Sequence, residues 1–302
     1  MRVVVTGASG KTGRAVIAAL QRCGHEPVAL VRRPEAAQDA RRQGVTARVA
    51  TFADTAALVG AFTGADAVYH VPPNMHPEEE LIGAAVADAA QAAGAHRFVL
   101  HSVLHPYVPQ MPHHERKART ELLIRRRPLA WSIVQPASYT QNVLPFVAAA
   151  REDGRYVVPY STTAAFTPVD LEDVADAAVV LLEKDATIHG TFELCGPEHV
   201  DSRGIAEALG QVVGRPVLAE HQPVEQWRAS VAGSRPEQEI HDLAAMFDWY
   251  NQFGLTGSDV VLRNLLGRRP TDITSALTRD VSRSVRARSR QLNRPASPAA
   301  PR

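Results

Sequence analysis

The sequence predicts an α/β fold, a doubly wound parallel sheet with a smaller, mostly helical lobe toward the C-terminus. Three observations predict it. An apolar β-branched run, Val3-Val4-Val5, leads into glycines spaced Gly7-x-x-Gly10-x-x-Gly13, and a helical pattern follows at once. From there to residue 135, short apolar runs alternate with helical patterns, and that rhythm calls for parallel strands joined by crossover helices. The chain has 302 residues, enough for one large α/β unit with an attached lobe.

Composition narrows the class of protein. With 45% apolar and 22% charged residues the chain is ordinary globular material, and a net charge of +1 offers no electrostatic reason for a nucleic-acid partner. Cys23 and Cys195 lie far apart without a CxxC spacing, which fits reduced, buried thiols better than a disulfide framework or a metal site. No charged-then-apolar leader precedes the first strand and no apolar run reaches transmembrane length, so the expectation is a cytoplasmic protein with no membrane partner.

The glycine turn is what a dinucleotide pyrophosphate needs. Glycines let the backbone turn sharply and let phosphates approach with no Cβ in the way, and the helix start offers N–H groups and a partial positive charge. Gly7, Ser9, Gly10, Lys11, Thr12 and Gly13 are the candidate contacts. The first helix is expected from Lys11 to Arg22, with Val16, Ile17 and Leu20 buried and Gly24 as its stop. The second strand, Pro27 to Val31, ends in Arg32-Arg33-Pro34 with no Asp or Glu. A carboxylate there would accept from a ribose 2′-hydroxyl, whereas a guanidinium suits a 2′-phosphate. Arg32 therefore points to NADP(H).

The third strand, Ala47 to Phe52, is followed by a helix that Asp54 or Thr55 caps. The fourth, Asp66 to Val71, runs into Pro72-Pro73-Asn74, a stiff loop at the sheet end where an open sheet holds its ligand, and Pro72 is expected beside the cofactor. His70 and His76 flank this loop and read as packing or surface residues. An alanine-rich helix covers Glu79 to Ala93, the fifth strand is Arg97 to Ser102, a helix runs from about His113 to Arg126, and the sixth strand is Trp131 to Gln135.

Past the sixth strand the rhythm breaks. Gln135 to Asn142 leaves the sheet and crosses toward the cofactor, so Tyr139 and Asn142 are expected in the crevice, Asn142 either bonding substrate or capping the next helix. A short strand from Phe166 precedes Asp170-Leu171-Glu172-Asp173, whose pattern resembles a capping box for a helix to about Glu183, its carboxylates structural. Thr191 to Leu194 reads as a strand, and Ser202 caps a helix to Val213 with Gly214 as its stop. From Pro223 to about Gly267 the pattern is helical and carries Trp227, Phe247, Trp249, Tyr250 and Phe253, a cluster that can be core or can roof a substrate pocket; Met246 and Tyr250 are the lining candidates. Residues 1–145, completed by segments within 165–196, form the expected nucleotide-binding core, 146–282 mainly the substrate lobe, and 283–302, rich in Arg, Ser, Pro and Ala, a disordered tail.

Five separated segments resemble the NmrA-like branch of the atypical short-chain dehydrogenases: Thr6 to Gly13, His101-Ser102-Val103-Leu104-His105-Pro106, Gln135 to Asn142, Pro168 to Ala175, and Gly254-Leu255-Thr256-Gly257. The resemblance covers about residues 1 to 280. It implies a Rossmann fold, NADP(H) binding and a smaller C-terminal lobe over the cofactor, in a branch that resembles both working reductases and proteins that bind the nucleotide only to report redox state. Two departures matter. Ala50-Thr51 stands where many relatives carry Gly-Asp, which puts a carboxylate contact on the adenine side in doubt. The ordinary Ser and Tyr-x-x-x-Lys set is incomplete: Ser102 stands where the serine usually sits, but Tyr107 is followed four residues later by Met111.

The nearest substitute is His113-His114-Glu115-Arg116-Lys117. On a helix Lys117 shares a face with His113 (i, i+4) or His114 (i, i+3). Lys117 is expected as ribose anchor and relay partner, His113 or His114 as the acid–base because an unperturbed imidazole titrates near neutrality, and Ser102 as the group orienting substrate. No metal-ligand spacing occurs. The expected function is NADPH-dependent reduction of a small or medium apolar carbonyl, quinone or enone. A non-catalytic NADP(H)-sensing protein with a protein partner, and a nucleotide-binding isomerase or cyclase, stand as alternatives; the oligomeric state is open.

Overall fold

A computed structural model describes residues 1–292. Seven parallel strands form the main sheet in the order β3-β2-β1-β4-β5-β6-β8. They are β1 (Arg2–Val5), β2 (Glu26–Val31), β3 (Thr46–Val49), β4 (Ala67–His70), β5 (Arg97–His101), β6 (Trp131–Pro136) and β8 (Thr191–Leu194). The chain winds outward from β1 to β3, returns to β4 on the other side of β1 and winds on, so the strand order reverses between β1 and β4 and opens a crevice at their C-terminal ends.

Helices cover both faces because every central strand is buried on both. Against one face pack α1 (Lys11–Arg22), α2 (Pro34–Arg42) and α7 (Leu171–Glu183) through Val16, Leu20, Ala37, Val174 and Leu181. Against the other pack α3 (Thr55–Phe62), α4 (Glu79–Ala92) and α5 (Pro112–Arg125) through Leu58, Phe62, Val86, Ala90 and Ile124. Asp54 caps α3, accepting the Ala57 N–H at 2.9 Å.

Beyond β6 the chain builds a second body. A 3-10 turn (Thr140–Phe146), α6 (Val147–Glu152), β7 (Arg155–Val158), α8 (Ser202–Val213), β9 (Leu218–His221) and α12 (Ile273–Leu292) share a core of Val143, Tyr156, Ile205, Leu209 and Leu277, with β7 and β9 paired in parallel. The helices α9 (Val224–Val231), α10 (Glu237–Phe253) and α11 (Val260–Leu266) complete it. An ion pair between Arg116 of α5 and the fully buried Asp242 of α10 fastens this body to the sheet. Two carboxylates of α7 are tied in the same way: Asp170 caps the helix and pairs with Arg279 at 2.6 Å, and Asp173 pairs with Arg268 at 2.6 Å.

Several expectations change. The helix α2 goes unread in the sequence although Pro34 sits at its start, Glu35 in its first turn and Arg41 and Arg42 in its last, all favourable to the helix ends. The cap of α8 is Asp201, which accepts from the Arg203 and Gly204 N–H groups at 3.0 Å each, and Ser202 is the first helical residue. Cys23 is exposed at the end of α1, while Cys195 is buried as expected. The helix α12 carries residues 283–292, which the composition places in a tail; 293–302 lie outside the described residues. No helix among the described residues is long and apolar enough to cross a membrane.

Candidate active site

One cavity of about 1030 Å³ opens at the C-terminal ends of β1, β4, β5 and β6 and continues under the second body. Its near end is backbone. Gly7 follows β1 with φ +61°, and a Cβ there would lie 2.9 Å from the Val71 carbonyl oxygen, so only glycine lets the turn nest against the end of β4. Gly13 does not line the cavity. A Cβ on it would fall 2.5 Å from the Gly7 carbonyl oxygen, and its lack of a side chain lets α1 press against the turn. No side chain caps the start of α1 and its first turn holds no carboxylate, so its N–H groups and the positive end of its dipole are offered to an anion.

The other predicted contacts Ser9, Gly10, Lys11, Thr12, Arg32 and Pro72 line this same cavity. Arg32 is exposed at the end of β2, and among the described residues no carboxylate pairs with it. Lys11 donates to the Asn142 side-chain oxygen at 2.5 Å and lies 5.1 Å from the centre of the Tyr139 ring. The residues present therefore fit a dinucleotide: a side-chain-free cradle, a helix start aimed at it and an unpaired guanidinium at the second strand.

The far end is aromatic. Tyr160, Phe166, Phe247 and Tyr250 meet with ring centres 5.1 to 5.9 Å apart, and Trp227 stands edge-on to Phe247 at 4.8 Å. Met246 and Tyr250 border the cavity here. These contacts make a roof that is apolar and stiff, suited to a flat ligand.

Between the two ends lie the candidates for chemistry. Lys117, His113, His114 and Ser102 all border the cavity, yet Lys117, His114 and Ser102 are committed to partners the sequence does not reveal. Lys117 donates to Glu79 of α4 at 2.9 Å, an ion pair with both side chains buried, and the second Glu79 oxygen has no partner. Ser102 donates its hydroxyl to the fully buried Glu121 at 2.5 Å, and Gln135 donates to the same oxygen at 2.8 Å, so the serine's proton is already given to a carboxylate. His114 shares its Nδ1–H with the His105 carbonyl at 3.1 Å, and burial carries its pKa down to about 4 despite that bond. Burial, with Lys117 close by, pushes His113 well below the ordinary imidazole range, and its Nδ1 has no partner. Both imidazoles, expected to exchange protons near neutrality, are thus shifted by burial toward their neutral form.

A second group joins the expected Tyr139 to two residues that the sequence does not single out. Tyr69 at the end of β4, His101 at the end of β5 and Tyr139 just past β6 form a continuous chain. The Tyr69 hydroxyl lies 2.7 Å from His101 Nδ1, and His101 Nε2 lies 2.5 Å from the Tyr139 hydroxyl. Burial, then Lys117 and His70, hold the His101 pKa down to about 3, and burial raises Tyr139 to about 12 against the opposing Thr12 hydroxyl. The one available signal was positional: polar aromatic residues close three neighbouring strands of a parallel sheet where ligands bind. Among the described residues no cluster of three or more His, Cys, Asp or Glu could hold a metal ion.

Comparison with known proteins covers almost all of the chain. Residues 1–293 match the model of the NmrA-like family. A (4-alkanoyl-5-oxo-2,5-dihydrofuran-3-yl)methyl phosphate reductase of Streptomyces griseus is 30% identical over 237 residues, 78% of this chain and 82% of that one. An NAD(P)H azoreductase of Xenophilus azovorans is 27% identical over 242 residues, 80% of this chain and 84% of that one. The fold resembles that of an NADPH-dependent quinone oxidoreductase of Escherichia coli complexed with NADPH, with TM-score 0.81 at 23% identity over 92% of this chain and 99% of that one.

Proposed function

The chain belongs to the NmrA-like family, and on that premise we propose that it is an NADPH-dependent reductase of a flat, apolar carbonyl, quinone or enone. The observation that carries this reading is the continuity of the cavity, which joins the glycine cradle and Arg32 to the aromatic roof without a break. Reductases acting with NADPH or NAD(P)H recur among its relatives. NADPH supplies the hydride; the chain's own task is to hold nucleotide and substrate together, exclude water and manage one proton.

In this reading residues 1–145, with segments within 165–196, hold the nucleotide and 146–282 mainly hold the substrate. The turn from Gly7 to Thr12 takes the pyrophosphate, Arg32 the 2′-phosphate, and Pro72 flanks the nicotinamide half. Lys117 keeps donors beyond the one given to Glu79 and would anchor the nicotinamide ribose. Tyr139, Asn142, Met246 and Tyr250 border the substrate, and His113 and His114 act as neutral walls of the pocket.

The test is nucleotide binding followed by turnover on a panel of quinones, enones, aldehydes and azo compounds. NADPH should bind more tightly than NADH, and Arg32→Ala should narrow that gap by about 10- to 100-fold, the worth of hydrogen bonds to a charged group. Equal affinities in the unaltered protein would remove the Arg32 assignment. Binding without turnover across the panel, together with nucleotide-dependent capture of a protein partner, would favour a redox sensor.

A further inference from the structure

We propose that Tyr139 is the proton donor of the reduction, and that Tyr69 and His101 are positioning residues that turn its O–H into the cavity. The proposal rests on the reductase reading above and goes beyond it by naming the group that protonates the substrate.

Hydrogen-bond direction decides which hydroxyl keeps a free proton. A neutral imidazole has one N–H and one acceptor nitrogen, so the chain Tyr69–His101–Tyr139 must run one way or the other. Tyr69 is fully buried, and His101 Nδ1 is the partner of its hydroxyl among the described residues. If Nδ1 carried the hydrogen, the Tyr69 O–H would be left in the core with no acceptor. A buried donor left so is disfavoured by about 5- to 150-fold, which selects the other arrangement. Tyr69 then donates to Nδ1, and the hydrogen of His101 sits on Nε2 and is donated to the Tyr139 oxygen. Tyr139 receives from His101, so its own proton is not used on that side, and the residue lines the cavity.

Burial raises the Tyr139 phenol to about 12, so it keeps its proton until hydride transfer creates an acceptor, and three neighbours offset the cost of the phenolate. Lys11 lies 5.1 Å from the centre of the Tyr139 ring, held in place by Asn142 at 2.5 Å. The Thr12 hydroxyl adjoins the phenol oxygen and favours its ionised form, and His101 Nε2–H does the same. Neither His101 nor the α5 histidines compete for the role. Burial keeps all of them neutral near pH 7, and the Nδ1–H of His114 is already given to a backbone carbonyl.

The step balances. The substrate carbon takes a hydride, with its electron pair, from the bound dihydronicotinamide, which is thereby oxidised. The π pair of the carbonyl or conjugated system moves onto oxygen. That oxygen takes the Tyr139 proton, the phenolate keeps the O–H electron pair, and solvent at the cavity mouth restores the proton before the next turnover. His101 keeps its hydrogen throughout.

Two measurements test this. In nucleotide-free protein, 15N NMR should find His101 as the Nε2–H tautomer, and Tyr69→Phe should bring in the Nδ1–H form while lowering kcat about three- to tenfold at unchanged KM. Tyr139→Phe, which removes one oxygen from a half-buried ring, should lose about 10²- to 10⁴-fold in turnover, the usual worth of a general acid, with NADPH affinity within about twofold. An Nδ1–H tautomer in the unaltered protein overturns the proposal, as does a Tyr139→Phe variant that folds, binds NADPH and turns over within about threefold of the parent. If the unaltered protein reduces nothing, the reductase reading falls and takes the donor role with it; the His101 tautomer, read without nucleotide, distinguishes that outcome from a wrong hydrogen-bond direction.

Discussion

His101 and the pair His113–His114 border the same cavity, and burial keeps all three uncharged. Their partners separate them. On α5, His114 is tied to a backbone carbonyl and His113 has an unpartnered nitrogen, so neither passes a proton to another side chain. His101 has a hydroxyl on each ring nitrogen, one deep in the core and one at the cavity wall. Adjacency in sequence, which makes the α5 histidines conspicuous beside Lys117, counts for less than where each ring nitrogen finds its partner.

The largest effect is expected on the α5 side. Lys117→Met should destabilise the fold by about 3 to 5 kcal/mol in chemical denaturation, because the Glu79 carboxylate would stay buried without its cation. Adding Glu79→Gln should return most of that loss. If the single variant unfolds no more readily than the parent, Lys117 and Glu79 do not form a buried, mutually dependent pair.

Acid sharpens the contrast by acting on both groups at once. His70, His101 and His114 have folded pKa values near 3, 3 and 4, below the ordinary 6.5. Below 6.5 the unfolded chain binds protons that the folded one refuses, so this stability is full above pH 6.5 and is lost as pH falls toward 4. Each histidine can contribute at most about 1.4 kcal/mol per pH unit in that window. Melting followed from pH 7.5 to 4.5 should show a steep decline beginning near 6.5; a flat profile would mean these rings are not buried neutral.

The smallest expected effect is the most discriminating. His113→Phe should change turnover by less than about threefold, since a neutral wall residue donates nothing in the reaction. A loss as large as that predicted for Tyr139→Phe would restore the α5 histidine to the acid–base role.

Legibility in the sequence followed how local each feature is. The turn from Gly7 to Gly13 and the helix α1 were readable because strand, glycine spacing and amphipathic pattern lie within twenty-odd residues of one another. The Asp54 and Asp170 caps were readable for the same reason. The pair β7–β9 was not, since two four-residue strands separated by the whole of α7, β8 and α8 leave no short-range pattern. The same holds inside the site. Lys117 could be placed on a helix face, but nothing in its neighbourhood announces Glu79 on another helix or Glu121 beneath Ser102. Tyr69, His101 and Tyr139 meet only because the sheet order brings β4, β5 and β6 side by side.

That order also has a consequence during synthesis. The strand β6 pairs with β5 as soon as it is made, but its other neighbour, β8, comes only after residues 137–190. At about 5 to 20 residues per second, the Trp-Ser-Ile-Val edge of a nascent chain would stand open for about 3 to 11 s, a template for pairing with another chain. Ribosome-bound chains halted before Thr191 should therefore cross-link to one another or recruit chaperones through β6, and chains halted after β8 has emerged should not. The strand that finishes the sheet guards the newborn protein as much as it steadies the mature one.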